Sequence, residues 1–172
     1  MTPEFSRPER IDTIGDRDRV VAIAANETER AALAERFGLI AIEGLEARFA
    51  IRREAAGIAA RGRVTARVIQ ACSVTGDPIP ANVDEPVALL FVTALGEGEE
   101  VELDAGDLDT VEYDGGAVDL GEAAAETMAL TLDPFPRSPG AEAALRAAGV
   151  ISEEEAGPFG ALAGLKAQLE KK

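Results

Sequence analysis

Two consecutive segments with alternating side chains constrain this fold more than any other feature. From residue 43 to residue 53 apolar side chains alternate with charged or small ones, and the alternation resumes from residue 58 to residue 72. A period of two places alternate side chains on opposite faces of a strand. Because only a short turn at residues 55–57 separates the segments, we predict an antiparallel hairpin.

The outer face of the predicted hairpin concentrates arginine. Residues 48–67 contain six arginines and one acidic residue, whereas the whole chain carries a formal net charge of −15. Leu45, Phe49, Val64 and their apolar neighbours would face inward, leaving the charged side chains outward. The outward arginines are Arg48, Arg52, Arg61, Arg63 and Arg67.

The remaining patterns predict an α+β fold. Strands are expected at residues 20–24 and 85–93, with short ones at 101–103 and 111–113, and main helices at 27–37 and 120–132. Asn26 with Glu29, and Asp119 with Glu122, have the spacing of helix N-terminal caps. The expected architecture is an antiparallel sheet, with barrel-like closure as one option, in a single domain over residues 1–137. Residues 138–172 would form a helical or partly disordered tail, with weak helices at 141–148 and 159–170.

The composition argues against enzymatic chemistry. The chain has no histidine and one cysteine, which removes the usual catalytic triads and leaves too few ligands for structural zinc. Residues 107–111 fit the D-x-D pattern of aspartyl-phosphate phosphatases. However, an acidic stretch precedes them, and the first lysine is Lys166, so a solvated acidic loop is the better interpretation. We therefore predict no catalytic residue, no metal and no cofactor.

The N-terminus and the hydropathy pattern bear on location. No stretch reaches the ~20 apolar residues that a membrane helix needs. The first ten residues carry acids and prolines where a signal peptide would have an apolar region. We expect a soluble cytoplasmic protein with no membrane partner and no small-molecule substrate.

Two further motifs stand out. One is a cysteine at the end of the second predicted hairpin strand with a proline six residues later, and the other is an Asp-Leu-Gly-Glu string that opens the second helix. Their order and spacing resemble the YceD family (large ribosomal RNA subunit accumulation protein, domain of unknown function 177) over roughly residues 4–140. Thr75 stands where relatives often have a second cysteine, so no paired-cysteine metal site carries over. The motif residues are Cys72, Pro78, Asp119, Gly121, Glu122 and Glu126.

The resemblance implies a bacterial accessory factor for accumulation of 23S rRNA and assembly of the large ribosomal subunit. Its partner would be 23S rRNA or a large-subunit ribosomal protein. Three interpretations of the arginines stay open: contact with RNA phosphates, contact with a protein partner, or pairing with the chain's own carboxylates, such as those of residues 97–114. Independently, the acidic residues 68–172, with a net charge of −16, could hold a basic ribosomal protein. For Cys72, the strand parity favours a small buried hydrophobe over a reactive thiol.

Overall fold

The computed structural model describes residues 3–93 and 108–150 of the 172-residue chain. These residues form two compact units, one from 3–70 and 80–134, without the gap, and one from 71–79 and 135–150. The strand predicted at 101–103 and the helix predicted at 159–170 lie outside the described residues. The division into a domain over 1–137 and a tail over 138–172 stays a prediction.

The described residues form seven strands and three α-helices. A short 3-10 turn, Ile11–Thr13, follows the first strand. In chain order the elements are β1 (Pro8–Arg10), β2 (Arg19–Ala24), α1 (Glu27–Phe37), β3 (Ala41–Glu54), β4 (Gly57–Ala71), β5 (Pro78–Thr93), β6 (Asp109–Tyr113), β7 (Ala117–Asp119), α2 (Leu120–Thr131) and α3 (Ala141–Ala147).

The main sheet has five strands in the order β2-β3-β4-β5-β6. The β2–β3 and β3–β4 pairs are antiparallel, whereas β6 runs parallel to β5. Within the described residues the sheet stays open, with β2 and β6 at its edges. The α+β class is therefore confirmed, and the sheet does not close into a barrel. A separate two-stranded ribbon joins β1 to β7, and neither of these strands was among those expected from the sequence.

The β3–β4 hairpin matches the prediction closely. Leu45, Phe49 and Ile51 on β3 are buried, and so are Val64 and Val68 on β4. The alternating pattern predicted the buried face correctly because successive side chains of a strand point to opposite sides, one into the core and the next toward solvent. Strand β5 lies between β4 and β6. A continuous apolar run is typical of such a central strand, because both of its faces are covered.

Helix α1 has the bounds that were predicted from the sequence, residues 27–37. The Asn26 side chain accepts a hydrogen bond from the Glu29 amide at 3.0 Å, and the Glu29 carboxylate accepts one from the Asn26 amide at 2.8 Å. Gly38 ends the helix in the left-handed conformation, with φ at 64°, which glycine adopts at little cost. Both caps are local, which explains why the sequence alone located them.

Both main helices pack on the inner face of the sheet. Leu33 of α1 and Leu120 and Met128 of α2 join the same buried cluster as Phe49 and Ile51 of β3. The core is built mainly from aliphatic side chains, in keeping with a chain in which only 4% of the residues are aromatic. The opposite face of β3 and β4 is consequently left to the charged side chains.

Strands β3 and β4 approach each other unusually closely at one position. Gly62 pairs with Phe49, and a β-carbon at Gly62 would overlap the carbonyl oxygen of Arg48. Only glycine fits such an approach without moving the backbone. This contact fixes the backbone beneath the neighbouring arginines.

Candidate functional site

The structure brings the five predicted arginines together on the outer side of β3 and β4. We call this surface the arginine face. The register places Arg48 directly opposite Arg63, and Ala50 opposite Arg61. Like charges directly opposite each other on an antiparallel pair repel. The face therefore favours either nearby carboxylates or an external anion. Its members are Arg48, Arg52, Arg61, Arg63 and Arg67.

Three of the five arginines pair with carboxylates of the same chain. Glu54 accepts hydrogen bonds from both Arg52 and Arg61, with N···O distances of 2.7 and 2.9 Å. The pKa of Glu54 lies below its usual value because of Arg61 and then Arg52. Arg63 contacts Asp84 at 2.5 Å. Carboxylates of the same chain thus neutralise part of the arginine face. These carboxylates, Glu54 and Asp84, lie outside residues 97–114.

All of these ion pairs face solvent. The side chains of Arg63 and Asp84 are 55% and 66% exposed. Arg52 also lies 3.8 Å from Asp18, which is itself exposed. Exposed pairs contribute roughly 0–1 kcal/mol each, because water screens them and ordering long side chains costs entropy. An incoming anion could therefore replace these carboxylates at little cost.

Arg48 and Arg67 differ from the other three. No carboxylate within residues 3–93 or 108–150 forms an ion pair with either of them. The register of β3 and β4 shifts between Ile42 and Gly44. A β-carbon at Gly44 would lie 3.2 Å from Nη2 of Arg67, so the guanidinium lies across this glycine. An external anion could therefore contact Arg48 and Arg67 without displacing a carboxylate of the described chain.

A shallow hollow of about 490 Å³ lies beside Arg48 and Arg63. Its floor includes the small side chains of Ala22 and Ala24 on the edge strand β2, and Thr65 also lines it. The sequence analysis missed the part played by β2. The sequence does contain an alternation of Ala22 and Ala24 with Ile23, which would place the two alanines on one face of the strand. Only the strand register shows that this face adjoins the arginines.

The family-motif residues at the start of α2 have structural contacts. Asp119 caps the helix by accepting hydrogen bonds from the amides of Gly121 and Glu122 at 2.9 and 3.2 Å. The same carboxylate accepts bonds from the Arg7 amide at 2.7 Å and from the Ser6 hydroxyl at 2.5 Å. Asp119 thereby joins the N-terminal segment to α2.

Gly121 and Glu122 reinforce the same junction. A β-carbon at Gly121 would overlap the carbonyl oxygen of Phe5, so glycine allows the N-terminal segment to lie against the helix. Glu122 contacts Arg36 of α1 at 2.6 Å, and Arg36 also contacts Glu4 at 2.9 Å. These residues hold two helices and the N-terminal segment together, which is a structural role.

Arg7, which the sequence analysis did not single out, completes this junction. Its guanidinium contacts both oxygens of Glu29 at 2.8 and 3.0 Å and donates to the carbonyl of Ala24. It also lies 4.7 Å from the centroid of the Phe5 ring. Arg7 and Glu29 are 22 residues apart in the chain, and a contact between residues this far apart leaves no periodic pattern in the sequence.

Cys72 lies in the second unit, in a turn just beyond β4. It is buried, as predicted, but its surroundings are polar. The amides of Ser138 and Thr75 donate to Sγ at 3.3 and 3.4 Å. Hydrogen bonds from Ser138 and then Thr75 lower the pKa of the thiol to about 6, because they stabilise the thiolate. Pro78, the other residue of this motif, begins β5.

The described chain offers no candidate for metal binding or for spanning a membrane with a helix. Residues 3–93 and 108–150 contain no group of three potential ligands placed to hold a metal ion. The helices among them are too short and too polar to cross a membrane.

The comparison with protein families identifies the chain. The family model described as "Large ribosomal RNA subunit accumulation protein YceD" matches residues 60–166. The chain belongs to the YceD family. The match covers β4 with Arg61, Arg63 and Arg67, and it extends through α2 and α3. No curated protein and no solved structure matches the chain. The family name points to a role in accumulation of large-subunit ribosomal RNA.

Proposed function

We propose that this YceD-family protein is a non-catalytic accessory factor for 23S rRNA accumulation and large-subunit assembly, and that it contacts RNA through the arginine face. The observation that supports RNA contact most directly is the pair Arg48 and Arg67. Both are exposed on strands of the main sheet, and neither forms an ion pair with a carboxylate of the described chain. We place the activity in the cytoplasm, without cofactor.

The spacing of the face suits a phosphate backbone. Arg61 and Arg63 lie two residues apart on one strand, which separates their α-carbons by roughly 6.7 Å. Arg48 lies across from Arg63 on the next strand, so the guanidinium groups form a two-dimensional array. Guanidinium groups bind phosphate bidentately, and double-stranded RNA is recognised mainly through its shape and backbone.

The carboxylates on the face would act as exchangeable partners. Asp84 and Glu54 hold Arg63, Arg61 and Arg52 at 2.5–2.9 Å in the free protein. A nucleic-acid backbone that brings several phosphates at once offers the arginines more charged acceptors than Glu54 and Asp84 supply. The same carboxylates would disfavour random binding to weaker anions.

The test is the salt dependence of binding to 23S rRNA fragments. Each phosphate contact contributes about −0.7 to −0.9 to the slope of log K against log salt. Replacing Arg48, Arg63 and Arg67 with Gln should therefore make the slope shallower by roughly 2–3.

A matched variant separates this effect from the loss of charge. Arg10→Gln, Arg17→Gln and Arg146→Gln remove the same charge from exposed positions outside the arginine face. The control variant should keep the slope of the original protein. Equal slopes for the two triple variants would exclude RNA contact through the arginine face.

A second candidate function is an acidic module that holds a basic ribosomal protein during assembly. The observation that favours it is a groove on the other side of the sheet, lined by carboxylates and apolar side chains. Co-purification at low salt tests it, since a cationic large-subunit protein should be retained and then released as salt rises. Failure to retain any such protein would remove this candidate.

A further inference from the structure

A groove runs between α2 and the strands β5 and β6, on the helical side of the sheet. We call it the acidic groove. Its volume is about 570 Å³, which lies within the range of small binding clefts. One continuous stripe of α2 forms a wall, with residues at successive helical positions. That stripe consists of Ala123, Glu126, Thr127, Leu130 and Thr131.

The surface of the groove is apolar where it is not acidic. Val87 and Leu89 of β5 and Val111 of β6 lie along the strand side. Leu130, on the helix, is 87% exposed. An aliphatic side chain this exposed on the rim of a groove is a ready contact for another apolar group.

Two of the three threonine hydroxyls that line the groove, those on α2, need no outside partner. Thr127 donates to the carbonyl of Ala123 at 2.8 Å, and Thr131 donates to the carbonyl of Thr127 at 2.8 Å. Both hydroxyls are thus satisfied within the helix. The exposed groups that the described chain leaves without a partner in the groove are therefore the Leu130 side chain, the Thr110 hydroxyl and the carboxylates.

Three carboxylates line the groove, and its described lining contains no lysine or arginine. They are Glu85, Asp109 and Glu126. None of the three forms an ion pair within the described chain. Their positions do not suit a metal ion, since the described residues hold no group of three such ligands.

We propose that the acidic groove binds a cationic amphipathic segment of a partner protein. Aliphatic side chains of that segment would contact Leu130 and Val87, while its lysines or arginines would pair with Glu85, Asp109 and Glu126. This matches the mode in which an amphipathic segment places its apolar face in a groove and its charges at the rim. The inference rests on the second candidate function, and it needs none of the arginines.

The chain supplies its own control groove. A hollow of about 510 Å³ beside α1 also combines an exposed aliphatic residue, Ile40, with an exposed carboxylate, Glu35. It differs because Arg30 also lines it. Ile40 is 51% exposed, so Ile40→Ser and Leu130→Ser both remove an exposed aliphatic group without changing the net charge.

The experiment uses the full chain and a fluorescent synthetic peptide with leucine at every third or fourth position and lysine elsewhere. We expect Leu130→Ser to weaken binding about tenfold, because one aliphatic contact is lost, and Ile40→Ser to leave it unchanged. Glu126→Gln should weaken binding and flatten its salt dependence more than Glu35→Gln does. A peptide with serine in place of leucine should bind far more weakly.

Several outcomes would overturn the inference. Equal effects of Leu130→Ser and Ile40→Ser, or equal binding of the leucine and serine peptides, would show that only overall charge attracts the peptide. Self-association of the full chain that Leu130→Ser abolishes would assign the groove to a second copy. If a cationic ribosomal protein co-purifies equally with the original protein and Leu130→Ser, the second candidate function stands and the groove assignment fails.

Discussion

Replacing Asp119 with alanine tests the junction between the N-terminal segment and α2. The carboxylate accepts four hydrogen bonds, two from the first turn of α2 and two from the N-terminal segment. Losing an aspartate cap costs about 1 kcal/mol. Leaving the partly buried Arg7 amide without its acceptor costs about 1–3 kcal/mol more. We therefore expect Asp119→Ala to reduce the free energy of unfolding by about 2–4 kcal/mol.

Asp119→Asn separates the hydrogen bonds from the charge. The amide oxygen of asparagine can still accept from Gly121, Glu122 and Arg7, and its amino group can donate to the Ser6 hydroxyl. Asparagine is also as good a helix cap as aspartate. This variant should therefore lose about 1 kcal/mol or less.

Urea unfolding followed by circular dichroism measures both variants. The midpoint should fall for Asp119→Ala while the slope of free energy against urea stays constant. Glu126→Gln, an exposed change on the same helix, serves as the control and should stay within about 0.5 kcal/mol. A loss below about 0.5 kcal/mol for Asp119→Ala, or equal losses for alanine and asparagine, would refute this account of the junction.

Two further predictions concern the hairpin and the thiol. Gly62→Ala forces a side chain against the Arg48 carbonyl and should lower the free energy of unfolding by at least about 1–3 kcal/mol. Gly15→Ala, where nothing lies within 4 Å of the new carbon, should cost far less in the same urea titration, and equal costs would contradict the close approach. Cys72 should show thiolate ultraviolet absorbance with a midpoint at about pH 6. Because the folded pKa is depressed, this group stabilises the fold at pH above its unfolded value, and the contribution is lost as pH falls through about 6. A midpoint close to the ordinary thiol pKa of 9.0 would contradict the hydrogen bonding of Sγ.

The sequence predicted those parts of the fold that depend on local patterns. Helix α1 was located to the residue because Asn26, Glu29 and Gly38 all act within one turn of its ends. The hairpin was predictable because a period of two, together with a short turn, permits few alternatives. The inward side of each strand followed from the same alternation.

The ion pairs of the arginine face were beyond sequence reasoning. The partners suggested from the sequence lay in residues 97–114, of which 97–107 fall outside the described residues; among the described residues, Arg63 pairs with Asp84 on β5 and Arg61 with Glu54 on β3. Which carboxylate meets which arginine depends on strand order and register. Neither can be read from charge spacing along the chain.

Cys72 shows where a pattern was extended too far. The alternation of β4 was continued to Cys72, but the strand ends at Ala71. Beyond that residue the chain turns, and parity no longer decides what surrounds a side chain. Burial was still predicted correctly, while one of the two hydrogen bonds to Sγ comes from Ser138, 66 residues away along the chain.

The net charge of −15 does not prevent a polyanion from meeting the arginine face. At physiological ionic strength a charge is screened over about 8 Å, so an approaching phosphate responds mainly to charges within that range. Near Arg48 these include Arg63 directly opposite, its partner Asp84, and Glu46 two residues away on the same strand, whereas the carboxylates of the acidic groove lie on the helical side of the sheet. Lowering the salt extends the reach of the distant acids as well as that of the local arginines. The distribution of charge over the two faces, rather than its total, therefore decides which kind of partner each face attracts.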